Sequence, residues 1–203
     1  MWYFTIRFLG CLFILIILLL VIKKSAVKRK KILSIVLAVS CTLSFVLLTL
    51  FPLENYFVSF NSPEAAFNYC YSGEIQDIVE GDSSIMIIYS SNNNTTSFAF
   101  MPKDLTGYKI QISFSYDKIY NKLMERGDIS IYKVKNTKDH YFVRGAISSV
   151  DTENISDSCD SYFRSIIKKI PNSTNSNILT YAFIESFDDN YFYFLNNEKI
   201  YIK

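Results

Sequence analysis

Two uncharged apolar runs near the start of the chain, Phe8–Ile22 and Ile32–Phe51, constrain its fold most strongly. They flank a nine-residue loop, Lys23–Lys31, whose sequence KKSAVKRKK carries six positive charges and no acid. The second run is 20 residues long, which gives roughly 30 Å of helix and matches the hydrocarbon thickness of a bilayer. The pattern therefore predicts a two-helix transmembrane hairpin, with spans at about 2–22 and 32–51.

The basic loop sets the expected orientation, because short loops rich in Lys and Arg stay on the cytoplasmic side. The sequence thus predicts a multi-pass plasma membrane protein whose N and C termini are both extracytoplasmic. Residues 1–52 form the hairpin, with Arg7 reaching back to the outer interface. Residues 53–203 form an extracytoplasmic domain. A cleaved signal peptide is the rival interpretation of residues 1–22, but its positive charges should precede the apolar core.

Charge is divided unevenly along the chain. Residues 1–52 contain seven of the 21 basic side chains and none of the 19 acidic ones, so the remaining domain carries a net charge of −5. A nucleic-acid-binding domain instead concentrates Lys and Arg on its folded surface. We therefore exclude nucleic acid as a partner and expect the lipid bilayer, and with it another membrane protein.

The apolar runs themselves favour an anchor over a transporter, because they hold no ionisable residue besides Arg7. Ser40 and Ser44 on the second run, with Gly10 on the first, could let the spans pack closely or form a homodimer. This association through the spans is a hypothesis.

The four cysteines do not form a disulfide framework. Cys11 and Cys41 lie in the apolar runs, whereas Cys70 and Cys159 lie in the following domain and could pair in an oxidising compartment. Whether they form a disulfide stays open. The chain has a single histidine, His140, and no closely spaced cysteines, so a zinc site is not expected.

The domain after residue 52 is predicted to be α+β and mostly antiparallel β-sheet. Ser62-Pro63-Glu64 predicts a helix start, with a serine cap and proline at the first helical position. β-rich runs separated by turn residues follow it. The predicted strands are Glu74–Val79, Ser84–Tyr89, Ser97–Met101, Tyr108–Ser113, Ile129–Lys135, Tyr141–Ser148, Leu179–Glu185, Tyr191–Leu195 and Lys199–Ile202, the last three as one meander.

Two features of this domain leave alternatives open. Asp117–Arg126 places Ile119, Leu123 and Met124 at helical spacing between predicted strands. The segments Ile85–Phe100, Ile129–Phe142 and Leu179–Phe194 each give a β-rich run, a polar turn and a second run. They are either true repeats or the ordinary appearance of a sheet rich in hairpins.

A search for catalytic, cofactor-binding and metal-binding residues yields no site. His140 beside Asp139 is expected to be an exposed turn histidine, because no nucleophile is singled out. The Arg126-Gly127-Asp128 tripeptide falls where a strand should begin, so we interpret it as structural, and Asp188-Asp189-Asn190 as a turn. An acidic stretch lacks the spacing and glycine of a calcium loop and is expected to be a solvated loop. It comprises Asp151, Glu153, Asp157 and Asp160.

The stretch from Phe51 to Gly81 resembles small uncharacterised two-span membrane proteins of low-GC Gram-positive bacteria. The matching features are an aromatic exit from the second run, the Ser-Pro-Glu-Ala-Ala-Phe helix start and the Val-Glu-Gly-Asp-Ser turn. The resemblance implies a class and a compartment. It implies no activity and no catalytic residue.

Three functional hypotheses remain at this point. The first is a non-enzymatic, membrane-anchored interaction module that docks on another membrane or envelope component. The second is a sensor or immunity-type protein that recognises a small molecule or peptide on aromatic residues such as Tyr191, Tyr193 and Phe194. The third is an anchored enzyme that uses carboxylates alone, which requires two Asp or Glu side chains in one cleft.

Overall fold

The computed structural model describes residues 2–24, 27–50, 55, 57–91, 95–110, 116–149, 154–188 and 190–202, which form three helices and twelve strands. In chain order these elements are α1 (Trp2–Lys24), α2 (Val27–Leu50), α3 (Pro63–Cys70), β1 (Glu74–Glu80), β2 (Ser84–Ser90), β3 (Thr96–Asp104), β4 (Gly107–Tyr108), β5 (Tyr116–Met124), β6 (Gly127–Val134), β7 (His140–Ser148), β8 (Ile155–Asp157), β9 (Arg164–Lys169), β10 (Ser176–Ile184), β11 (Phe192–Leu195) and β12 (Glu198–Tyr201).

The chain divides into two compact units. The helical unit comprises Met1–Ser72 and Gly107–Ile112. The β-rich unit comprises Gly73–Thr106 and Ser113–Lys203.

The prediction of a transmembrane hairpin is wrong. Among the residues that the structure describes, no helix has both the length and the apolar content that a bilayer crossing requires. The predicted loop Lys23–Lys31 is mostly helical, because α1 continues through Lys24 and α2 begins at Val27, so basic residues lie inside both helices. Arg7 also lies within α1 and is buried, not extended to an interface.

This finding also corrects the expectations that depended on the spans. The multi-pass plasma membrane location with extracytoplasmic termini loses its support, and so does the fold class built on a transmembrane hairpin. No other part of the chain packs closely against Gly10, since a Cβ built there would meet no atom within 4 Å. The described structure is instead dominated by antiparallel sheets.

Local chemistry explains the rest of the helical unit. Ser62 has extended backbone angles, and its hydroxyl accepts a hydrogen bond from the Ala65 amide at 3.2 Å, which confirms the predicted cap of α3. The Asn55 side-chain amide pairs with both backbone groups of Ile110, each at 2.8 Å. Phe60 and Tyr108 exchange two backbone hydrogen bonds at 3.0 and 2.9 Å.

The β-rich unit is organised around a five-stranded antiparallel sheet, the central sheet, whose strand order is β5-β6-β7-β10-β9. One of its faces packs against the first sheet, whose strands within this unit are β1, β2 and β3 in that order. The other face packs against the third sheet, in which β11 lies between β12 and β8. The unit is thus a three-layered β structure with two hydrophobic cores.

Alternating side chains of the central strands supply both cores. From β7, Tyr141 and Val143 enter the core against the first sheet, whereas Phe142 enters the core against the third sheet. Successive strand residues point to opposite faces, so neighbouring apolar residues serve different layers. This explains why β6 and β7 are almost continuously buried.

Most predicted strands are confirmed, and the exceptions are informative. Asp117–Arg126, left open as a helix, is largely β5, which pairs with β6 along its whole length. The predicted final meander is wrong, because β10 belongs to the central sheet whereas β11 and β12 belong to the third sheet. The segment Leu179–Phe194 is therefore not a hairpin, which removes one of the three proposed repeats. Strands β8 and β9 were not predicted.

Candidate functional site

An open cleft of about 880 Å³ lies in the β-rich unit, at one end of the central sheet. Parts of β3, β6, β7, β9 and β10 line it, together with the turn between β5 and β6. Thr96 at the start of β3 and the preceding Thr95 line one side of the cleft.

Two rows of residues on the same face of the central sheet form the cleft floor. In the first row Asp128 pairs with Gly145, Gly145 with Leu179, and Leu179 with Ile166. In the second row Ile147 pairs with Asn177, and Asn177 with Lys168. Gly145 and Ile147 are two residues apart, so both rows face the same side. The rows continue the face that carries the core with the first sheet.

The middle of the floor is apolar and accessible. Ile147 is 51% exposed, although its neighbours Ala146 and Ser148 are buried on the opposite face. Gly145 has no side chain, and a Cβ built there would meet only the Asp128 carboxylate, at 3.2 Å. The absence of a side chain at Gly145 thus deepens the cleft between Asp128 and Leu179.

Charged groups lie at the two ends of the floor. The turn between β5 and β6 contributes Glu125, Arg126 and Asp128 at one end. Strand β9 contributes Lys168 at the other end, where its ammonium donates a hydrogen bond to the Ser90 hydroxyl at 3.2 Å. Among the described lining residues, two carboxylates and one guanidinium therefore lie at the first end, and an ammonium lies at the second.

Gly127 fixes the turn that carries the acidic end. Its φ of +150° is unfavourable for other residues, and a Cβ there would lie 1.9 Å from the Gly145 carbonyl oxygen. The Arg126 carbonyl accepts a hydrogen bond from the Ile147 amide at 2.9 Å. The predicted position of the Arg126-Gly127-Asp128 tripeptide at the start of a strand is confirmed, because β6 begins at Gly127. The same turn also forms part of the cleft wall.

His140 lies outside the cleft and has a structural environment. Its ring stacks on Phe187 with the ring centres 4.6 Å apart. Burial, together with the nearby Lys133 ammonium, lowers the pKa of His140 below its ordinary value. His140 is therefore not the exposed turn histidine that the sequence predicts, although its turn position is correct.

The adjacent Asp139 carboxylate joins two sheets and is not directed to a site. Its Oδ2 accepts hydrogen bonds from the Ser83 amide at 2.9 Å and the Ser84 hydroxyl at 2.6 Å. The Ser84 hydroxyl is also 3.0 Å from the Tyr141 hydroxyl. This buried network connects β2 of the first sheet to the turn between β6 and β7. All three side chains are buried, so the network is closed to a ligand.

The acidic stretch does not gather into a cation site in the described part of the chain. Asp157 is buried and accepts hydrogen bonds from the Cys159 and Ser161 amides and from the hydroxyls of Ser161 and Tyr191. Asp160 occupies a turn with φ +54°. Asp151 and Glu153 lie outside the described residues. No group of three or more potential metal ligands occurs among the residues that the structure describes.

Two of the three residues of the proposed aromatic platform are not available to a ligand. Tyr191 and Tyr193 are fully buried in the core against the third sheet, because they occupy the inward positions of their segment. The outward positions belong to Phe192 and Phe194, and the Lys199 ammonium lies over the Phe192 ring at 3.6 Å. Cys70 and Cys159 do not form a disulfide with each other. The Asp188 carboxylate accepts a hydrogen bond from the Asn190 amide, as expected of a turn.

Sequence analysis missed the cleft because its residues are distant along the chain. The one local signal is Gly145 inside an otherwise continuous strand pattern, which often marks a bulge or a close approach. Comparison with known protein families, with curated proteins and with solved structures finds no match to this chain. The resemblance to small two-span membrane proteins stays a prediction, and function must be argued from the cleft.

Proposed function

We propose that the chain is a non-enzymatic interaction module whose β-rich unit binds a segment of another macromolecule in the cleft. The observation that carries this proposal is the exposed apolar floor at Ile147 and Gly145, bordered by charged residues at both ends. Exposed apolar surface with a polar rim is typical of binding sites for other molecules. An open, mixed lining suits a segment of a macromolecule better than an enclosed small molecule.

The environments of the other chemically reactive groups support a binding role. His140 is stacked on Phe187, and the Asp139 and Asp157 carboxylates accept hydrogen bonds that hold the sheets and turns together. These groups serve the fold of the β-rich unit. The cleft, by contrast, combines accessible apolar and charged groups.

Photo-crosslinking tests this proposal. A photoreactive amino acid replaces Ile147 in the full chain, expressed in its native host, and the same group replaces Leu123 as the matched control. Leu123 is 82% exposed on the edge strand β5 and does not line the cleft. We expect a discrete macromolecular adduct at Ile147 and its loss when Gly145→Leu fills the cleft. The same adducts from both positions, or none from Ile147, would refute the proposal.

One observation favours a second candidate, a hydrolase that uses carboxylates alone. Glu125 and Asp128 both line the cleft, which brings two acids to one site as glycoside hydrolysis requires. Glycan hydrolysis by the wild type that is lost in both Glu125→Gln and Asp128→Asn would establish this candidate. Hydrolysis unchanged in both variants, or no hydrolysis at all, would eliminate it.

A further inference from the structure

The arrangement of the cleft floor restricts the chemistry of its occupant. From Asp128 on β6 to Lys168 on β9 the floor crosses β7 and β10, which is three strand spacings. At about 4.8 Å per spacing, the two ends are about 14 Å apart across the sheet. An extended peptide advances about 3.4 Å per residue, so roughly four residues cover this distance.

Each part of this path favours a different chemical group. Glu125, Arg126 and Asp128 together carry a net charge of −1, because there are two carboxylates and one guanidinium. This end of the floor therefore attracts a cation. The Lys168 ammonium, held by the Ser90 hydroxyl, attracts a carboxylate. Between these ends, Ile147 and the space above Gly145 accept apolar side chains.

We propose that the cleft binds an extended peptide segment of about four residues that lies across the strands of the central sheet. A cationic group of the peptide lies at the acidic end near Asp128, its central apolar residues cover Gly145 and Ile147, and a carboxylate lies against Lys168. This inference rests on the proposed function and specifies the chemistry of the partner.

The test measures binding of fluorescent tetrapeptides to the full chain by anisotropy. The peptides Lys-Leu-Ala-Glu and Glu-Ala-Leu-Lys cover both chain directions, and acetylated and amidated ends remove the terminal charges. The matched peptides replace Lys or Glu by Gln. We expect saturable binding of at least one doubly charged peptide, weakened about tenfold by each Gln, because each replacement removes one charged contact.

Charge reversal in the protein supplies the decisive comparison. Lys168→Glu should abolish the preference for a peptide carboxylate, so that peptides with Gln in place of Glu bind this variant at least as tightly as the doubly charged peptides. The control Lys169→Glu makes the same charge change one residue further along β9, at an exposed position outside the cleft. It should leave the peptide preference unchanged. Because Lys168 and Lys169 lie on an edge strand, both variants should fold, which circular dichroism verifies.

The possible failures are distinguishable. A macromolecular adduct at Ile147 combined with no charge preference among the peptides would overturn the peptide proposal and leave the interaction module intact. Equal effects of Lys168→Glu and Lys169→Glu would also overturn it. No adduct and no peptide binding would overturn both proposals.

Discussion

The buried Asp139 network predicts a large and specific loss of stability when its carboxylate is removed. Asp139 is 2% exposed and accepts hydrogen bonds from the Ser83 amide and the Ser84 hydroxyl. Hydrogen bonds to a charged group contribute about 1.5–3 kcal/mol each. Asp139→Ala removes both hydrogen bonds and takes the acceptor away from the buried Ser84 hydroxyl and from the partly buried Ser83 amide. We expect the free energy of unfolding to fall by about 3–5 kcal/mol.

Asp139→Asn distinguishes the contribution of the hydrogen-bond geometry to stability from the contribution of the negative charge. Both hydrogen bonds end on the same carboxylate oxygen, Oδ2, and an amide oxygen can occupy that position. The variant then loses charge assistance alone, so the expected loss of unfolding free energy is smaller, about 1–2 kcal/mol. Urea unfolding of the full chain, followed by the near-ultraviolet circular dichroism of its tyrosines, measures both values.

Asp117→Ala is the matched control, because it removes an exposed carboxylate from the same sheet. Its 3.2 Å ion pair with Lys135 is solvent-accessible, so its removal should cost no more than about 1 kcal/mol. A loss below about 1 kcal/mol for Asp139→Ala would refute the reasoning, since a buried acceptor of two hydrogen bonds cannot be removed so cheaply. Equal losses for Asp139→Ala and Asp139→Asn would show that the charge, and not the geometry, stabilises the junction.

Three further changes test other parts of the structure. The pKa of His140 is lowered in the folded state, so the neutral imidazole contributes to stability fully above the unfolded pKa of about 6.5. This contribution is lost as pH falls below that value. The free energy of unfolding then changes by at most about 1.4 kcal/mol per pH unit. Gly127→Ala should destabilise by about 1–3 kcal/mol or more, because its Cβ would meet the Gly145 carbonyl at a positive φ. Asp157→Ala should cost about 3–5 kcal/mol, since it leaves the buried Tyr191 hydroxyl without its acceptor.

Each of these has a control. His140→Gln removes the chain's single histidine. It should therefore remove the dependence of the unfolding free energy on pH between about 5 and 7, roughly the range in which an unperturbed imidazole titrates. An unchanged pH dependence would contradict its assignment to His140. Gly145→Ala lies in ordinary strand geometry and should cost far less than Gly127→Ala, so similar losses contradict the turn analysis. Tyr191→Phe should cost about 1 kcal/mol, and a loss equal to that of Asp157→Ala would contradict the shared network. Urea unfolding at fixed pH measures all of these losses.

The sequence predicts local structure well where the local chemistry is sufficient. The serine cap of α3 and the turn residues Asn136, Asn196 and Asn197, which all have positive φ, follow from short-range rules. Segment β5 was ambiguous because its apolar spacing fits both a helix and an edge strand with a bulge. The membrane prediction depended on two apolar runs and the basic segment between them, and this pattern does not reveal that the basic residues lie inside the helices.

The sheet assignments and the cleft could not be predicted because they depend on long-range pairing. Strand β10 leaves its sequence neighbour β11 to pair with β7 and β9. The cleft then combines Thr96, Asp128 and Lys168, which no local pattern relates. Asp128 drew attention only as part of a tripeptide, and its role at the cleft emerges from its pairing with Gly145.

Quantitative co-purification tests the central claim most directly. Tagged wild type, Gly145→Leu and Lys169→Glu are expressed at native level, and the bound proteins are quantified by mass spectrometry. We predict one partner in near-stoichiometric amount with the wild type and Lys169→Glu, and at least about tenfold less with Gly145→Leu, because the added side chain occupies the cleft floor. Equal recovery of that partner with all three proteins, or no partner with a folded wild type, would contradict the account.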